Sequence, residues 1–129
     1  MNASPLIHAL AVAGGGALGS LLRYWGGSGV HLLLGRAFPY GTLAVNIVGS
    51  FAIGVLYVLL AERTNAPELR ALLMTGLLGG FTTFSAFSLD TVLLLEQGEL
   101  VKALLNVALS VVLCIMLAWA GMGAARHLL

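Results

Sequence analysis

The chain has 129 residues, of which 60% are hydrophobic and 9% charged, and a formal net charge of +1. A soluble domain carries charge on roughly a quarter of its residues, so this composition excludes a water-soluble globule, and the small net charge excludes a basic surface for nucleic acid. Cys114 is the single cysteine, which excludes an intrachain disulfide and a paired-thiol redox or zinc motif.

Four stretches free of Asp, Glu, Lys and Arg follow one another: Ser4 to Leu22, Ala37 to Ala61, Ala71 to Leu89 and Ala103 to Ala125. Each reaches the roughly 18 residues of a transmembrane helix candidate. They predict one all-α integral membrane domain over 1–129, with helices at about 4–24, 37–61, 70–96 and 100–126 joined by short loops. No basic segment precedes the first run, so it is expected to be retained and not cleaved as a signal peptide.

Gly15 and Gly19 in the first run have GxxxG spacing, a helix-packing pattern repeated by Gly76 and Gly80 in the third. In the second run Asn46 sits near the centre, in VNIVGSF, with Thr42 one turn earlier on the same face. A carboxamide facing lipid is unfavourable, so Asn46 should face protein or water. Two roles fit it: a structural interhelical hydrogen bond, or an amide that donates to a permeating anion.

The third run holds the densest polar segment, GGFTTFSAFS, from Gly79 to Ser88. Glycine suits a helix C-terminus and threonine the N-cap of a following helix. The pattern predicts a helix broken mid-membrane, with halves over about 70–78 and 83–96. Backbone freed at that depth must meet protein, an ion or water; the alternative is glycine used for close packing in an unbroken helix. Phe84 and Phe87 share a helix face among Thr82, Thr83, Ser85 and Ser88. An aromatic ring has a positive edge, so such edges contact an anion without trapping it as a lysine would. Asp90 is either an intramembrane carboxylate with a function or an interfacial acid.

Loops 1–2 and 3–4 lie on one side of a four-helix membrane protein, with the termini and loop 2–3 on the other. Arg23, Arg36 and Lys102 fall on the first side and Arg63, Arg70 and Arg126 on the second. The cations are balanced, so the positive-inside rule selects no orientation. One reading is a single weakly biased orientation. The other is dual topology, in which two copies insert oppositely and pair head to tail. The chain has no internal repeat, and an antiparallel homodimer would supply from two copies the inverted symmetry that many transporters build into one.

In this order, GGGALGSLLRY (Gly14 to Tyr24), GTLAVNIVGSF (Gly41 to Phe51) and GGFTTFSAFS resemble the CrcB/Fluc fluoride channels, across all four helices. The resemblance implies a four-helix protein of the bacterial cytoplasmic (inner) membrane. It would form an antiparallel, dual-topology homodimer that passes fluoride passively and protects the cell against it. The implied fluoride pore is lined by Asn46, Phe84 and Phe87, with Thr42, Ser85, Ser88, Asp90 and, on the fourth helix, Ser110 as its polar track. The implied cofactor is a structural Na+ at the dimer interface, held by the backbone carbonyls of Gly79 and Thr82. The family often has Ser or Thr where this chain has Ala86, and Glu where it has Asp90. Arg23, at the end of the first predicted helix, either draws anions into a vestibule or snorkels to the interface.

The alternative function is a small dual-topology multidrug or cation exporter. Proton-coupled export of cations wants a carboxylate in the first helix, where only His8 titrates. A potassium channel would need a TVGYG filter, which the sequence lacks. An enzyme is not expected, because the spans offer no paired carboxylates, metal cluster or nucleophile constellation. His8, His31 and His127 are scattered and read as interfacial surface residues.

Overall fold

The computed structural model describes residues 4–129. Helix α1 is Pro5–Leu34. The Ser4 hydroxyl accepts the Ile7 N–H at 3.3 Å, and Pro5 occupies the first helical turn, where its missing N–H costs nothing. Helix α1 runs well beyond the expected end near residue 24. The helix continues through the glycine-rich Gly26 to Gly29 segment, and the close approach of the second helix there is made by Gly41. A Cβ on Gly41 would stand 2.7 Å from the Gly27 carbonyl oxygen and from the His31 ring. The helix stops at Gly35, whose φ of 83° suits glycine and whose N–H returns to the His31 carbonyl at 2.8 Å.

Helix α2 begins as Tyr40–Tyr57 and continues as a wider π-helical turn, Val58–Arg63. Helix α3 covers 67–81. It opens on Pro67, is wound as π-helix over Arg70–Leu78 and closes with the turn Gly79–Phe81. Helix α4 is Phe84–Glu96 and helix α5 is Leu100–Leu128. Between α3 and α4, Thr82 (φ −91°, ψ 156°) and Thr83 (φ −151°, ψ 120°) are extended. Gly79 keeps helical dihedrals of −60° and −37°, so the non-helical residues are the two threonines and not the adjacent glycines. The α4–α5 connection is a tight turn with Gly98 at φ 76°, closed by Glu99 N–H on the Leu94 carbonyl at 2.8 Å.

Among the described residues there is no strand, and four spans are long and apolar enough to cross a membrane: Pro5–Leu34, Tyr40–Arg63, Pro67–Glu96 and Leu100–Leu128. In lipid such helices gain little from hiding apolar side chains, so association depends on close packing. Across the α1–α3 contact Gly15 meets Gly76, Gly19 packs on Leu77 and Phe81, and Gly80 packs on Gly16 and Ser20. A Cβ on Gly76 would stand 2.9 Å from the Val12 carbonyl, and one on Gly80 would stand 2.5 Å from that of Gly16. Gly54 and Gly121 do the same for α2 and α5, where added Cβ atoms would fall on the Ala118 and Phe51 carbonyls. The far ends of α2 and α5 are also tied by polar groups. Arg63 donates to the Ala125 carbonyl at 2.8 Å, and Arg126 forks onto the Glu62 carboxylate. The result is two helix pairs, α1 with α3 and α2 with α5, with the shorter α4 laid against α2 and α5.

Candidate functional site

The site is organised around the extended Thr82–Thr83 link. A continuous helix would send the Thr83 N–H to the carbonyl of Gly79, four residues back. Here it donates to Asn46 Oδ1 at 2.8 Å, and Asn46 Nδ2 donates to the Thr83 carbonyl at 3.0 Å. One side chain on α2 therefore satisfies both backbone groups of a non-helical residue at membrane depth, as the absence of water there requires. Thr83 in turn caps α4, its hydroxyl accepting the Ala86 N–H at 3.2 Å. The Thr82 hydroxyl and its N–H both donate to the Leu78 carbonyl. Asn46 thus makes the interhelical bond, and the second hydrogen on its Nδ2 remains for another acceptor.

Beside this link lies a mostly apolar cleft of about 420 Å³. Asn46, Thr82, Thr83, Phe84, Phe87 and Ser110 all line it. The rings of Phe84 and Phe87 stand 5.3 Å apart, tilted by 53°. They differ sharply in setting, since Phe87 is 9% exposed and Phe84 is 77% exposed on the single protomer. Ser110 enters from α5. Its hydroxyl oxygen is buried and has no hydrogen-bond partner. A buried polar group in that condition is unusual in proteins.

A second cleft, of about 400 Å³, lies on the other side of Thr83, which lines both. Arg23, His31, Thr42 and Ala86 are among its walls. Arg23 sits inside α1 and not at its end, and its Nε donates to the Gly80 carbonyl at 2.9 Å. A cation at the carbonyl end of α3 is favourable in the field of that helix. Two other guanidinium nitrogens carry donors that this bond does not use.

The remaining expected residues are placed as follows. The Ser85 hydroxyl is 3.3 Å from that of Thr83, and both belong to the exposed start of α4. The Ser88 hydroxyl donates back to the Phe84 carbonyl at 2.9 Å. Asp90 is half-buried on α4 and forms no ion pair among the described residues. Gly79 is exposed, with nothing closer than 3.9 Å to an added Cβ, whereas Gly76 and Gly80 are packed against α1. Sequence reasoning passed over one buried polar pair. Asn106, 2% exposed on α5, donates to the Thr91 hydroxyl at 3.0 Å. An asparagine in the charge-free run LLNVALS carries the same signal that singled out Asn46.

Comparison with known proteins gives a consistent picture. The family profile described as "CrcB-like protein, Camphor Resistance (CrcB)" matches residues 10–122. The "Fluoride-specific ion channel FluC" of Rhizobium leguminosarum bv. trifolii (strain WSM2304) is 56% identical over 124 residues, covering 95% of this chain and 99% of its own length. The protein of the same name from Geobacter sulfurreducens is 52% identical over 120 residues, 92% of this chain and 97% of its own length. That from Methylococcus capsulatus (strain ATCC 33009 / NCIMB 11132 / Bath) is 51% identical over 119 residues, 92% of this chain but 52% of its own length.

Proposed function

The chain belongs to the CrcB-like family, and on that premise we propose that it is a fluoride-selective ion channel, not an enzyme, through which fluoride leaves the cell passively. The observation that carries this reading is the Ser110 hydroxyl, buried and without an acceptor on the wall of a cleft that also holds Asn46, Phe84 and Phe87. An unpaired buried donor costs about 1–3 kcal/mol, and an anion in the cleft relieves that cost. Fluoride is strongly hydrated, so entry needs replacement donors. The Ser110 O–H and the second Asn46 N–H supply two, and the positive edges of Phe84 and Phe87 add weak attraction. No lysine or arginine lines this cleft. Binding therefore stays weak enough for the ion to leave, which conduction requires.

In this reading Arg23 attracts anions into the second cleft, whose wall Thr42 shares, and Ser85, Ser88 and Asp90 on α4 form a polar track beside the phenylalanines. The functional unit is an antiparallel homodimer of two oppositely inserted copies, in the bacterial inner membrane. Two observations support a partner on this face. Phe84 is 77% exposed in hydroxyl-rich company, and Gly79 presents a bare backbone to the outside.

The same face fits a structural Na+ at the dimer interface. The Thr83 N–H is taken by Asn46 and not by the Gly79 carbonyl, and Thr82 is extended, so its carbonyl has left the helical ladder. Backbone carbonyls are hard oxygen donors of the kind Na+ accepts. Gly79 and Thr82 would hold the ion, which supplies fixed positive charge near the fluoride path. Ion-replacement anomalous scattering tests it: a cation peak bridging the two copies is expected, and a dimer axis without one refutes it.

Fluoride efflux from proteoliposomes, read with a fluoride electrode, tests the main proposal. With a potassium ionophore relieving the charge imbalance, fluoride should leave and chloride should leave far more slowly. Equal rates for the two anions would remove the claim of selectivity.

A further inference from the structure

Helix α4 carries both phenylalanines, and it is fastened at two places by asparagines from different neighbours. Asn46 on α2 holds the N-cap, Thr83. Asn106 on α5 holds Thr91, donating from Nδ2 to its hydroxyl at 3.0 Å. The Thr91 hydroxyl passes its own proton on, donating to the Phe87 carbonyl at 2.8 Å. The bonds therefore run in series from α5 through Thr91 to the backbone of the very residue whose ring lines the cleft. Asn106 is 2% exposed and is among the largest fully buried side chains. At membrane depth a carboxamide is retained only where it has a partner.

We propose that Asn106 is a positioning residue for the anion path: through Thr91 it fixes the rotation of α4, and with it the place of the Phe87 ring. A bond at the N-cap alone leaves α4 free to turn about its axis, and a second bond two turns further on removes that freedom. Phe87 lies between the two, one turn from each. Phe87 is 9% exposed, the setting that a fixed rotation of α4 maintains. Phe84 lacks a second tie of this kind and stands exposed, ready for a partner copy to cover. The inference deepens the channel reading and rests on it for its consequence, but its structural content has its own readout.

The test uses the full-length reconstituted protein as wild type, Thr91→Val, Thr91→Ser, Asn106→Leu and the double variant Thr91→Val/Asn106→Leu. Thr91→Val keeps shape and removes the relay, whereas Thr91→Ser keeps the relay. Fluoride efflux should fall about tenfold in Thr91→Val and in Asn106→Leu, because a site held loosely loses function before it loses fold. The double variant should be no slower than the slower single one, since both break one series of bonds. Thr91→Ser should stay within about twofold of wild type. Losses that multiply in the double variant, or wild-type efflux in Thr91→Val, overturn the proposal. The second readout needs no transport. With 4-fluorophenylalanine at position 87, the wild type and Thr91→Ser should each give one fluorine NMR resonance, and Thr91→Val a second or broadened one. An unchanged spectrum in Thr91→Val overturns the positioning role. A wild type that passes no fluoride fails the channel reading instead, and the spectrum then decides this one alone. Should Asn106→Leu not fold, Thr91→Val against Thr91→Ser decides the matter.

Discussion

Asn46 and Thr83 clasp each other reciprocally: the Asn46 carbonyl oxygen takes the Thr83 N–H at 2.8 Å while its amide nitrogen donates to the Thr83 carbonyl at 3.0 Å. The carboxamide stands in for a peptide group of a helix that is not there. It lets two extended residues exist inside a hydrocarbon layer, and the two clefts meet at the residue it holds.

Replacing Asn46 tests that clasp. Asn46→Leu removes both bonds and leaves two backbone groups unmet, a loss of about 2 kcal/mol or more. Fluoride efflux should be abolished and the melting temperature lowered. Asn46→Asp keeps the acceptor for the Thr83 N–H but turns a carboxylate oxygen toward the Thr83 carbonyl and puts a like charge beside the anion path. It should pass fluoride at least tenfold more slowly, about the 1.4 kcal/mol of one lost charge-matched contact. Normal efflux in Asn46→Leu would show that the clasp is dispensable for conduction.

Ser110→Ala should move stability and transport in opposite directions. Deleting a buried hydroxyl that has no partner relieves about 1 kcal/mol of desolvation, so the melting temperature should hold or rise. Efflux should drop about tenfold, because the donor offered to the ion is gone. A variant that is less stable but conducts normally would assign Ser110 to packing.

Phe84→Ile and Phe87→Ile keep apolar bulk and remove the ring edge. Both should strongly reduce fluoride efflux while the elution volume on size-exclusion chromatography stays that of the wild type. Only Phe87→Ile should also cost stability, about 1 kcal/mol, since Phe87 is buried on the protomer and Phe84 is not. Normal efflux in both would return the pair to a packing role.

The α1–α3 contact predicts a contrast between neighbouring glycines. Gly19→Ala drives a Cβ onto the Leu77 carbonyl, and Gly14→Ala meets open space. The first should destabilise by about 1–3 kcal/mol, and the second should hold stability or raise it by up to about 1 kcal/mol, since alanine suits a helix interior better than glycine. Thermal unfolding in detergent distinguishes them, and equal melting temperatures would mean that the two helices do not approach this closely.

Dual topology can be tested by charge. Two or three lysines added to one side should fix the orientation of the chain. Two variants biased in opposite senses should restore fluoride resistance together and not separately. Resistance from either one alone would rule out the antiparallel pair.

The spans were legible because exclusion of charge over some twenty residues is a property of the sequence itself. The end of α1 was not. The charge-free run stops at Leu22, before Arg23, whereas the helix continues through Gly26 to Gly29 as far as Leu34. The loop-side assignment of Arg23 fails for the same reason. Its true partner, the Gly80 carbonyl, is 57 residues away and invisible to any local pattern. Of the two threonines only Thr83 caps a helix, the Thr82 hydroxyl turning back to the Leu78 carbonyl, and the glycines beside them serve helix contact at Gly80 and exposed backbone at Gly79. Asn46 stood out in the sequence by type and depth. Asn106 carries the same signal in the fourth span, outside the three motifs of the first three.

Helix α1, with 30 residues, is about 45 Å long at 1.5 Å per residue. At an ordinary tilt of about 20° it still covers about 42 Å of depth, some 12 Å more than a hydrocarbon layer of about 30 Å. Roughly two turns must therefore stand among the lipid headgroups. At the C-terminal end those turns carry Leu32 and Leu33, 87% and 86% exposed. They form an apolar foot at a polar boundary, just past the His31 carbonyl that takes the closing Gly35 N–H. A helix longer than the layer it crosses takes up the excess by tilting, so the tilt of α1 should follow the thickness of the membrane that holds it.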